Sequence, residues 1–157
     1  MLSLSKQADY ALLALAYLAR VEEGRLVNAR EIALKFDLPA ELLAKILQRL
    51  ARADLLVSTP GPTGGYRLAR SARSISVGAI VVAVDGPPAL VPCLRSDHND
   101  CEQSRHCTIQ RPLARLNQRI FQMLERVSLA EISADDPEEN RIALSEACEY
   151  RPLAPTT

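Results

Sequence analysis

The residues best suited to chemistry are three cysteines within fifteen residues: Cys93, Cys101 and Cys107. The chain shows no secretory signal, so we expect an intracellular protein whose thiols stay reduced and serve as metal ligands rather than form disulfides. Thiolates are soft donors that select iron–sulfur clusters, zinc or copper(I). Seven and five residues separate the cysteines, whereas zinc ribbons usually carry pairs separated by about two to four. Three close sulfurs leave one coordination position for a weaker, replaceable ligand, which is what a sensor needs.

Other candidates for chemistry are few. Cys148 lies 41 residues beyond Cys107 in an acidic segment, and we interpret it as an incidental thiol. The sequence holds two histidines and 4% aromatic residues, with neither a glycine-rich phosphate loop nor a Ser-His-Asp series. An electron carrier would ordinarily use four cysteines for each cluster. We therefore predict that the chain is not an enzyme and has no small-molecule substrate.

The distribution of charge suggests a polyanionic partner, although the formal net charge is zero. Residues 1–75 contain 11 Lys/Arg against 7 Asp/Glu, and the remainder contains 8 against 12. A basic first half predicts a nucleic-acid-binding unit joined to another element, with chance unevenness as the alternative. No apolar run approaches the roughly 18–20 residues that span a membrane. We therefore expect a cytoplasmic protein with no membrane partner.

The first half of the chain has the pattern of a winged helix-turn-helix. Ser5 can cap a first helix, and Asn28 with Glu31 forms a capping-box pattern that opens a second helix. Pro39 can begin a third helix after a turn of about four residues, which is the helix-turn-helix pattern. Two short apolar segments around a Gly/Pro turn then predict a β-hairpin, which in this position is a wing.

The second half predicts fewer regular elements. Ser76 can cap a short apolar helix, and over about 111–126 apolar residues recur every three or four positions on an otherwise polar helix. This stripe can pack on a partner chain or on the same chain, and periodicity alone favours neither. Ser128 with Glu131 predicts one last helical turn, followed by an acidic, proline-rich tail that we expect to be loosely ordered.

Side chains that could contact DNA lie on the third helix, at the starts of helices and on the wing. Glutamine can pair bidentately with adenine, glutamate can accept from cytosine, and lysine contacts phosphate or guanine. Residues at helix starts suit phosphates, and the wing could approach the minor groove. The candidates are Ser5, Lys6, Asn28, Arg30, Glu41, Ala44, Lys45, Gln48, Thr63, Gly64 and Arg67. For each of them the alternative is a solvated surface residue.

Five motifs, in the same order, resemble those of a known family. They are LSKQADYAL at 4–12, REIA at 30–33, KILQRL at 45–50, GPTGGYRL at 61–68 and ISV at 75–77. With three cysteines followed by a long helix, the chain resembles over 1–132 the winged-helix repressors typified by IscR, NsrR and RirA, most closely those that control SUF-type cluster assembly. The resemblance implies a homodimer that binds operator DNA. It also implies a labile iron–sulfur cluster near the dimer interface, with [2Fe–2S] favoured over [4Fe–4S].

The resemblance further implies that the three cysteines bind iron together with one non-cysteine ligand. In one branch of the family this ligand is a histidine three residues after the last cysteine, where this chain has Gln110. In another branch it is a carboxylate on the first helix of the partner subunit, and Asp9 stands at the matching position. We therefore favour Asp9, with His106 and His98 as alternatives. Several family members carry arginine before the first glycine of the wing, and Pro60 in this chain indicates a different operator.

The sequence thus predicts a mainly α fold with a small β-wing, in which a winged helix-turn-helix is joined to a long dimerisation helix. The predicted units are a DNA-binding domain over 1–86, a cysteine-rich cluster-binding loop over 87–110, a dimerisation helix over 111–132 and an acidic tail over 133–157. The predicted function is a homodimeric transcriptional regulator whose operator affinity depends on the cluster, which senses iron–sulfur, redox or nitric oxide status. Two alternatives remain: a DNA-binding protein with structural zinc or a metal-free thiol site, and an interaction protein whose winged fold is vestigial.

Overall fold

The computed structural model of the chain describes residues 3–94 and 106–134. Its elements are α1 (Lys6–Arg20), α2 (Ala29–Phe36), α3 (Ala40–Arg52), β1 (Leu56–Thr59), β2 (Gly65–Leu68), α4 (Val77–Asp85), α5 (Gln110–Arg126) and α6 (Leu129–Ala134). Single 3₁₀ turns occur at Ala72–Ser74 and Pro92–Leu94. This is the mainly α fold with a small wing that the sequence predicts. Cys101, His98, Cys148 and the tail from residue 135 onward lie outside the described residues.

Four helices begin at the capping residues that the sequence predicts. The oxygen of each cap accepts the backbone N–H three residues later, at 2.8–3.2 Å: Ser5 from Ala8, Asn28 from Glu31, Ser76 from Ala79 and Ser128 from Glu131. At Ser128 the capping box is reciprocal, because its backbone N–H donates to the Glu131 carboxylate at 3.0 Å. Hydrogen bonds from the Ser128 hydroxyl, and then from its N–H, hold the pKa of Glu131 below the usual range.

At Asn28 the predicted capping box is only half formed, because the Glu31 carboxylate turns toward α1. Its Oε1 accepts from the Tyr17 hydroxyl and from Arg25 Nη2, both at 2.8 Å. The hydrogen bond to this carboxylate, followed by burial, raises the pKa of Tyr17. The Tyr17 ring also meets Phe36 edge to face, at 5.9 Å between centroids, and lies 5.1 Å from the Lys35 ammonium. These contacts fix α2, the first helix of the helix-turn-helix, against α1.

The wing is a two-stranded antiparallel hairpin in which Thr59 faces Gly65 at the turn end. Val27, just before α2, pairs with Tyr66 across its edge: the Val27 N–H donates to Tyr66 O at 3.0 Å, and the Tyr66 N–H donates to Val27 O at 2.8 Å. A Cβ on Gly65 would lie only 2.6 Å from the Val27 carbonyl oxygen, so this approach requires glycine. The wing is therefore anchored to the base of the helix-turn-helix.

In the described residues, one hydrophobic core is shared by helices α1, α2, α3, α4 and α6 and by the wing. Its fully buried large side chains include Leu15, Ile32, Leu43, Ile46, Leu47, Leu50, Leu55, Ile80 and Leu129. The chain returns to this core after α5 through a short backbone bridge. The Val77 N–H donates to Val127 O at 2.9 Å, and the Leu129 N–H donates to Ile75 O at 2.8 Å. The starts of α4 and α6 are thereby joined just after the end of α5.

α5 differs from the other long helices, because it packs mainly against α4. All 17 of its residues are described, and none has a fully buried side chain. Its apolar stripe is divided: Leu124 packs against the core, whereas Leu116 is 48% exposed and Met123 is 67% exposed. The structure therefore covers only one side of the stripe. Among the described residues, we find no helix with both the length and the apolar character needed to cross a lipid bilayer.

Candidate metal centre and nucleic-acid interface

Two of the three clustered cysteines, Cys93 and Cys107, lie on either side of residues 95–105, which are outside the described residues. Cys93 lies in the 3₁₀ turn Pro92–Leu94, and Cys107 lies three residues before α5. Both are free thiols and partly buried. Within the ranges 3–94 and 106–134, no group of three or more His, Cys, Asp or Glu residues is arranged to hold a metal ion. The three-thiol site, which needs Cys101, stays a prediction.

The candidate non-cysteine ligands differ in position. Asp9 lies in the first turn of α1 and is exposed, so its carboxylate is accessible to a second copy of the chain. His106 is exposed beside Cys107, and Gln110 is the exposed first residue of α5. His98 is outside the described residues. The exposure of Asp9 is a condition of the predicted ligand role.

Asn117, on α5, holds the segment that leads to Cys93. We call residues 86–94 the cysteine arm. Asn117 Oδ1 accepts the Leu90 N–H at 2.9 Å, and Asn117 Nδ2 donates to Pro88 O at 3.0 Å. One amide thus uses its acceptor and a donor on the same stretch of backbone. Since α5 begins three residues after Cys107, this clamp ties together the two chain segments that carry the described thiols.

Sequence reasoning missed Asn117, although a signal was present. Its position falls between Leu113 and Ile120 on the apolar stripe of α5, where a polar amide is unexpected. Asparagine is also a weak helix former. An amide at an inward position of an amphipathic helix commonly has a specific hydrogen-bonding partner. Naming that partner required the fold.

The cysteine arm forms one wall of a groove of about 660 Å³. The start of α1, the end of α4 and one face of α5 form the rest. Its lining includes Ser3, Leu4, Asp85, Pro87, Leu90, Ile120 and Leu124. The groove therefore separates the arm from the first turn of α1, which carries Asp9.

Two further side chains connect the end of α4 with the helices of the winged domain. The Ser5 hydroxyl, which caps α1, donates to Asp85 Oδ1 at 2.8 Å. Arg49 Nη1, on α3, donates to Gln7 Oε1 at 2.7 Å and to Val84 O at 3.0 Å. Neither connection was predicted from the sequence, because the partners are 35 to 80 residues apart.

α3 presents two distinct faces. Leu43, Leu47 and the other large apolar residues are buried, whereas Glu41, Lys45 and Gln48 are exposed at intervals of four and three positions. Ala44 lies between these faces and is half-buried. A polar ridge with this spacing runs along one side of the helix. It has the position that a recognition helix needs in order to present side chains to a major groove.

The predicted phosphate contacts at the helix starts are exposed, but two of them have structural roles. Ser5 uses its hydroxyl as both acceptor and donor, toward Ala8 and Asp85. Its side chain could therefore reach a phosphate only by leaving Asp85. Asn28 uses its side-chain oxygen as a helix cap. Lys6 and Arg30 are exposed on the first turns of α1 and α2, where a phosphate would also meet the helix N-termini.

The wing carries three of the predicted DNA contacts. Thr63 and Arg67 are exposed and Gly64 is half-buried. A Cβ on Gly64 would collide with the Thr59 carbonyl oxygen, and Gly61 has φ +114°. The turn therefore depends on glycine at both positions. Pro60, in place of the arginine of several resembling proteins, is exposed at the start of this turn.

Comparisons with known proteins agree with this architecture. A family profile described as Rrf2, iron-dependent transcriptional regulator, matches residues 4–135. The HTH-type transcriptional regulator NsrR of Oceanobacillus iheyensis is 28% identical over 137 residues, which is 87% of this chain and 93% of that protein.

Two solved structures share the fold. CymR, the global cysteine regulator of B. subtilis, aligns with a TM-score of 0.67 and 23% identity, over 87% of this chain and all of that chain. IscR of T. potens aligns with a TM-score of 0.62 and 24% identity, over 96% of this chain and 94% of that chain. At these identities the likeness concerns the fold. The sequence-based resemblance to IscR and NsrR is confirmed.

Proposed function

The chain belongs to the Rrf2 family of iron-dependent transcriptional regulators, and on that premise we propose that it is a cytoplasmic homodimeric repressor whose operator affinity depends on a labile iron–sulfur cluster. DNA-binding regulation is the established part of this statement, and it agrees with the prediction that the chain is not an enzyme. Cluster sensing is the proposed part. The observation that carries it is the pair of free thiols, Cys93 and Cys107, on segments tied together by Asn117.

The described residues fit such a cluster in their chemistry. Cys93 and Cys107 are soft sulfur donors, and their partial burial limits contact with water without closing the site. Cys101 would supply the third thiolate, and Asp9 of a second copy the non-sulfur ligand. When bound, a cluster of this kind supplies a centre sensitive to oxidants, nitric oxide and iron supply. The cluster type, with [2Fe–2S] favoured, and placement among regulators of SUF-type assembly rest on resemblance alone.

The exposed apolar residues of α5 support a homodimer. Leu116 and Met123 are about half and two-thirds exposed on a helix whose other side packs on α4. Large apolar side chains in a row on a helix commonly mark a contact with another chain. A twofold dimer built on α5 would present two copies of α3, and therefore two half-sites of operator DNA.

The proposed DNA contacts follow from exposure and chemistry. Gln48 and Glu41 would reach base edges, and Lys45 a phosphate or guanine. Lys6 and Arg30, with Ser5 and Asn28 at the helix starts, would position the protein on the backbone. Thr63, Gly64 and Arg67 would approach the minor groove. Ala44, half-buried on α3, would set how closely the helix approaches the bases.

The test of cluster binding is an anaerobic visible spectrum with iron and sulfide analysis. We expect wild-type protein purified without air to absorb in the visible and to contain both iron and sulfide. Cys101→Ala should lose this absorption, Asp9→Ala should retain a less stable form of it, and Cys148→Ala is the matched control that should behave as wild type. Colourless wild-type protein without iron and sulfide would reject the proposal.

A second candidate function keeps the DNA-binding dimer but places structural zinc, or no metal, at the cysteines. The chemistry in its favour is that the thiols of Cys93 and Cys107 are donors that zinc also accepts. One fold relative, CymR, is described as a global cysteine regulator. Zinc would be redox-silent and colourless, so the same spectrum and metal analysis separate the two functions. Equal operator affinity of cluster-loaded and cluster-free protein at fixed salt would also favour this candidate.

A further inference from the structure

Three functional parts of the molecule meet at the C-terminal end of α4. The cysteine arm begins there, the capped start of α1 contacts it, and α3 reaches it through Arg49. Val84 and Asp85, two neighbouring residues, receive these contacts. The end of α4 is therefore a junction between the thiol segment and the helix that faces DNA.

Arg49 makes the contact between α3 and this junction. A single guanidinium nitrogen donates to Val84 O at 3.0 Å and to Gln7 Oε1 at 2.7 Å. The Val84 carbonyl belongs to the last turn of α4, where backbone acceptors have no partner within the helix. A cation at the C-terminus of a helix also meets the favourable end of its dipole. Arg49 is thus suited to hold α3 in a set position relative to α4.

Ser5 and Asp85 make the contact between α1 and the junction. The Ser5 hydroxyl donates to Asp85 Oδ1 at 2.8 Å while its oxygen accepts the Ala8 N–H at 3.1 Å. A shift of Asp85 would therefore act on the cap of α1. Since Gln7 lies two residues further along, α1 and α3 share this junction through neighbouring side chains.

The chain between the junction and Cys93 is stiff. Gly86, with φ +80°, turns the chain out of α4, and its N–H donates to Val82 O at 3.0 Å. Pro87 and Pro88 follow, and proline fixes φ and restricts the preceding residue. Asn117 then holds the backbone at Pro88 and Leu90. A stiff connector transmits a displacement that a flexible loop would absorb.

We propose that Arg49 and Asp85 are positioning residues that couple the state of the cysteine site to the orientation of α3. A change at Cys93 would move the arm and the end of α4, and Arg49 would carry that movement to the DNA-facing helix. The proposal rests on the proposed function, because it requires a site with two states. It adds the residues through which the two sites are linked.

A purely structural role for Arg49 and Asp85 would give a different experimental result. If Arg49 and Asp85 only stabilise the fold, their loss would weaken DNA binding equally in both states of the site. If they couple the sites, their loss would change the ratio of the two affinities. Coupling between two binding sites is reciprocal, so DNA should also alter the chemistry of Cys93.

The first measurement is operator affinity, at fixed salt, for cluster-loaded and cluster-free forms of each variant. In wild type we expect the two affinities to differ by about five- to 150-fold, the usual range of coupling between sites. Arg49→Met should bring this ratio to within about twofold of one. Arg52→Met is the matched control: it removes the charge of an exposed arginine three residues along α3 and should leave the ratio unchanged.

Asp85 provides a second pair of variants should Arg49→Met not fold. Asp85→Asn keeps an oxygen that can accept from the Ser5 hydroxyl, so the ratio should be retained. Asp85→Ala removes the acceptor and should lower the ratio as Arg49→Met does. Equal ratios in the alanine and asparagine variants would overturn the role of Asp85.

The second measurement needs no cluster. In metal-free, reduced protein, the rate of Cys93 alkylation by iodoacetamide is followed by mass spectrometry with and without operator DNA. We expect DNA to change this rate several-fold in wild type and in Arg52→Met, and to leave it unchanged in Arg49→Met. The same DNA-dependent change in Arg49→Met would overturn the inference.

The two measurements separate failure of the inference from failure of the proposed function. A wild-type affinity ratio of one, with DNA-dependent alkylation intact, would reject cluster control and keep the link through Arg49. A clear wild-type ratio that Arg49→Met preserves would reject the link and keep cluster control. A ratio of one together with DNA-independent alkylation would reject both.

Discussion

The winged domain and the α5 region bury their apolar side chains to different extents. In the winged domain, α3 buries Leu43, Ile46, Leu47 and Leu50 on one face and exposes a polar ridge on the other. In α5, all of which is described, no side chain is fully buried and Met123 is two-thirds exposed. Both helices have a strong apolar stripe, but only α3 has it covered within one chain.

A single chain therefore covers the apolar face of α3 but only one side of the apolar stripe of α5. The winged domain shares one core with α6, and packing in this core places the exposed polar residues of the domain. The α5 region, together with the cysteine arm, depends on hydrogen bonds such as those of Asn117 and leaves apolar surface uncovered. We infer that the winged domain and α6 are held together within one chain, and that a second copy covers the exposed side of α5.

Truncating a buried side chain of α3 should have the greatest consequence for stability. Leu47→Ala, at a fully buried position on α3, should lower the free energy of unfolding by about 2–5 kcal/mol, because the truncation leaves a cavity. Leu34→Ala, on α2 at 78% exposure, is the control and should change it by less than about 0.5 kcal/mol. Urea denaturation at one protein concentration compares them. Equal midpoints would mean that stability does not reside in this core.

A charge on the exposed side of α5 should weaken self-association. Met123→Glu should weaken self-association by about tenfold or more, because a charge would have to be buried against the partner without compensation. Gln122→Glu adds the same charge at the adjacent exposed position and should have little effect. Sedimentation velocity over a range of concentrations measures both dissociation constants. An unchanged constant for Met123→Glu would assign dimerisation to another surface.

Loss of the Asn117 hydrogen bonds should have a smaller effect, which is confined to the cysteine arm. Asn117→Ala removes two hydrogen bonds, each worth about 1 kcal/mol, and should release the cysteine arm while leaving the core intact. We expect Cys93 in reduced protein to react several-fold faster with iodoacetamide. Gln118→Ala, one position along α5, is the control. If Asn117→Ala and wild type react at the same rate, the arm is held by other contacts.

Loss of the Glu131 carboxylate, at the start of α6, should have the smallest effect on stability, and this effect should depend on pH. Because hydrogen bonds from Ser128 hold the pKa of Glu131 below its usual value, the ionised carboxylate is favoured in the folded state. Its contribution is present above the unfolded-state pKa and is lost as the pH falls through the folded-state pKa. Glu131→Gln should therefore be less stable than wild type near neutrality, and this difference should shrink in acid.

Thermal unfolding from neutral pH down to about pH 3 measures this trend. Glu23→Gln, in the exposed turn after α1, is the control for loss of one carboxylate. A difference between wild type and Glu131→Gln that stays constant over this range would contradict the assignment.

Local signals predicted much of the fold. Ser5, Asn28, Ser76 and Ser128 cap helices as expected, because a cap involves atoms only three residues apart. The hydrogen-bond partners that side chains find elsewhere in the fold could not be predicted from such local signals. Glu31 leaves its predicted capping box because Arg25 and Tyr17 offer a charged and a phenolic donor from elsewhere in the fold.

The candidate site shows the same division between local and distant signals. The cysteine spacing indicated where the metal chemistry should be, but it gave no sign that Asn117, Asp85 and Arg49 surround the approach to it. Each of these side chains meets a partner 27 to 80 residues away in sequence. Sequence periodicity describes which face of a helix is apolar, and it carries no information about which backbone oxygen will lie opposite a given polar group.

The bridge that returns the chain to the core also restricts the length of α5. Asn117, at the middle of α5, must face the cysteine arm, and Leu129 must enter the core just beyond the C-terminal end of the helix. One residue inserted between Asn117 and the end of α5 would rotate the following part of the helix by about 100° and advance it by about 1.5 Å. Either the amide or the leucine would then be misdirected. Changes to how two copies meet should therefore arise by substitution along α5, and insertions or deletions between Asn117 and the end of the helix should be poorly tolerated.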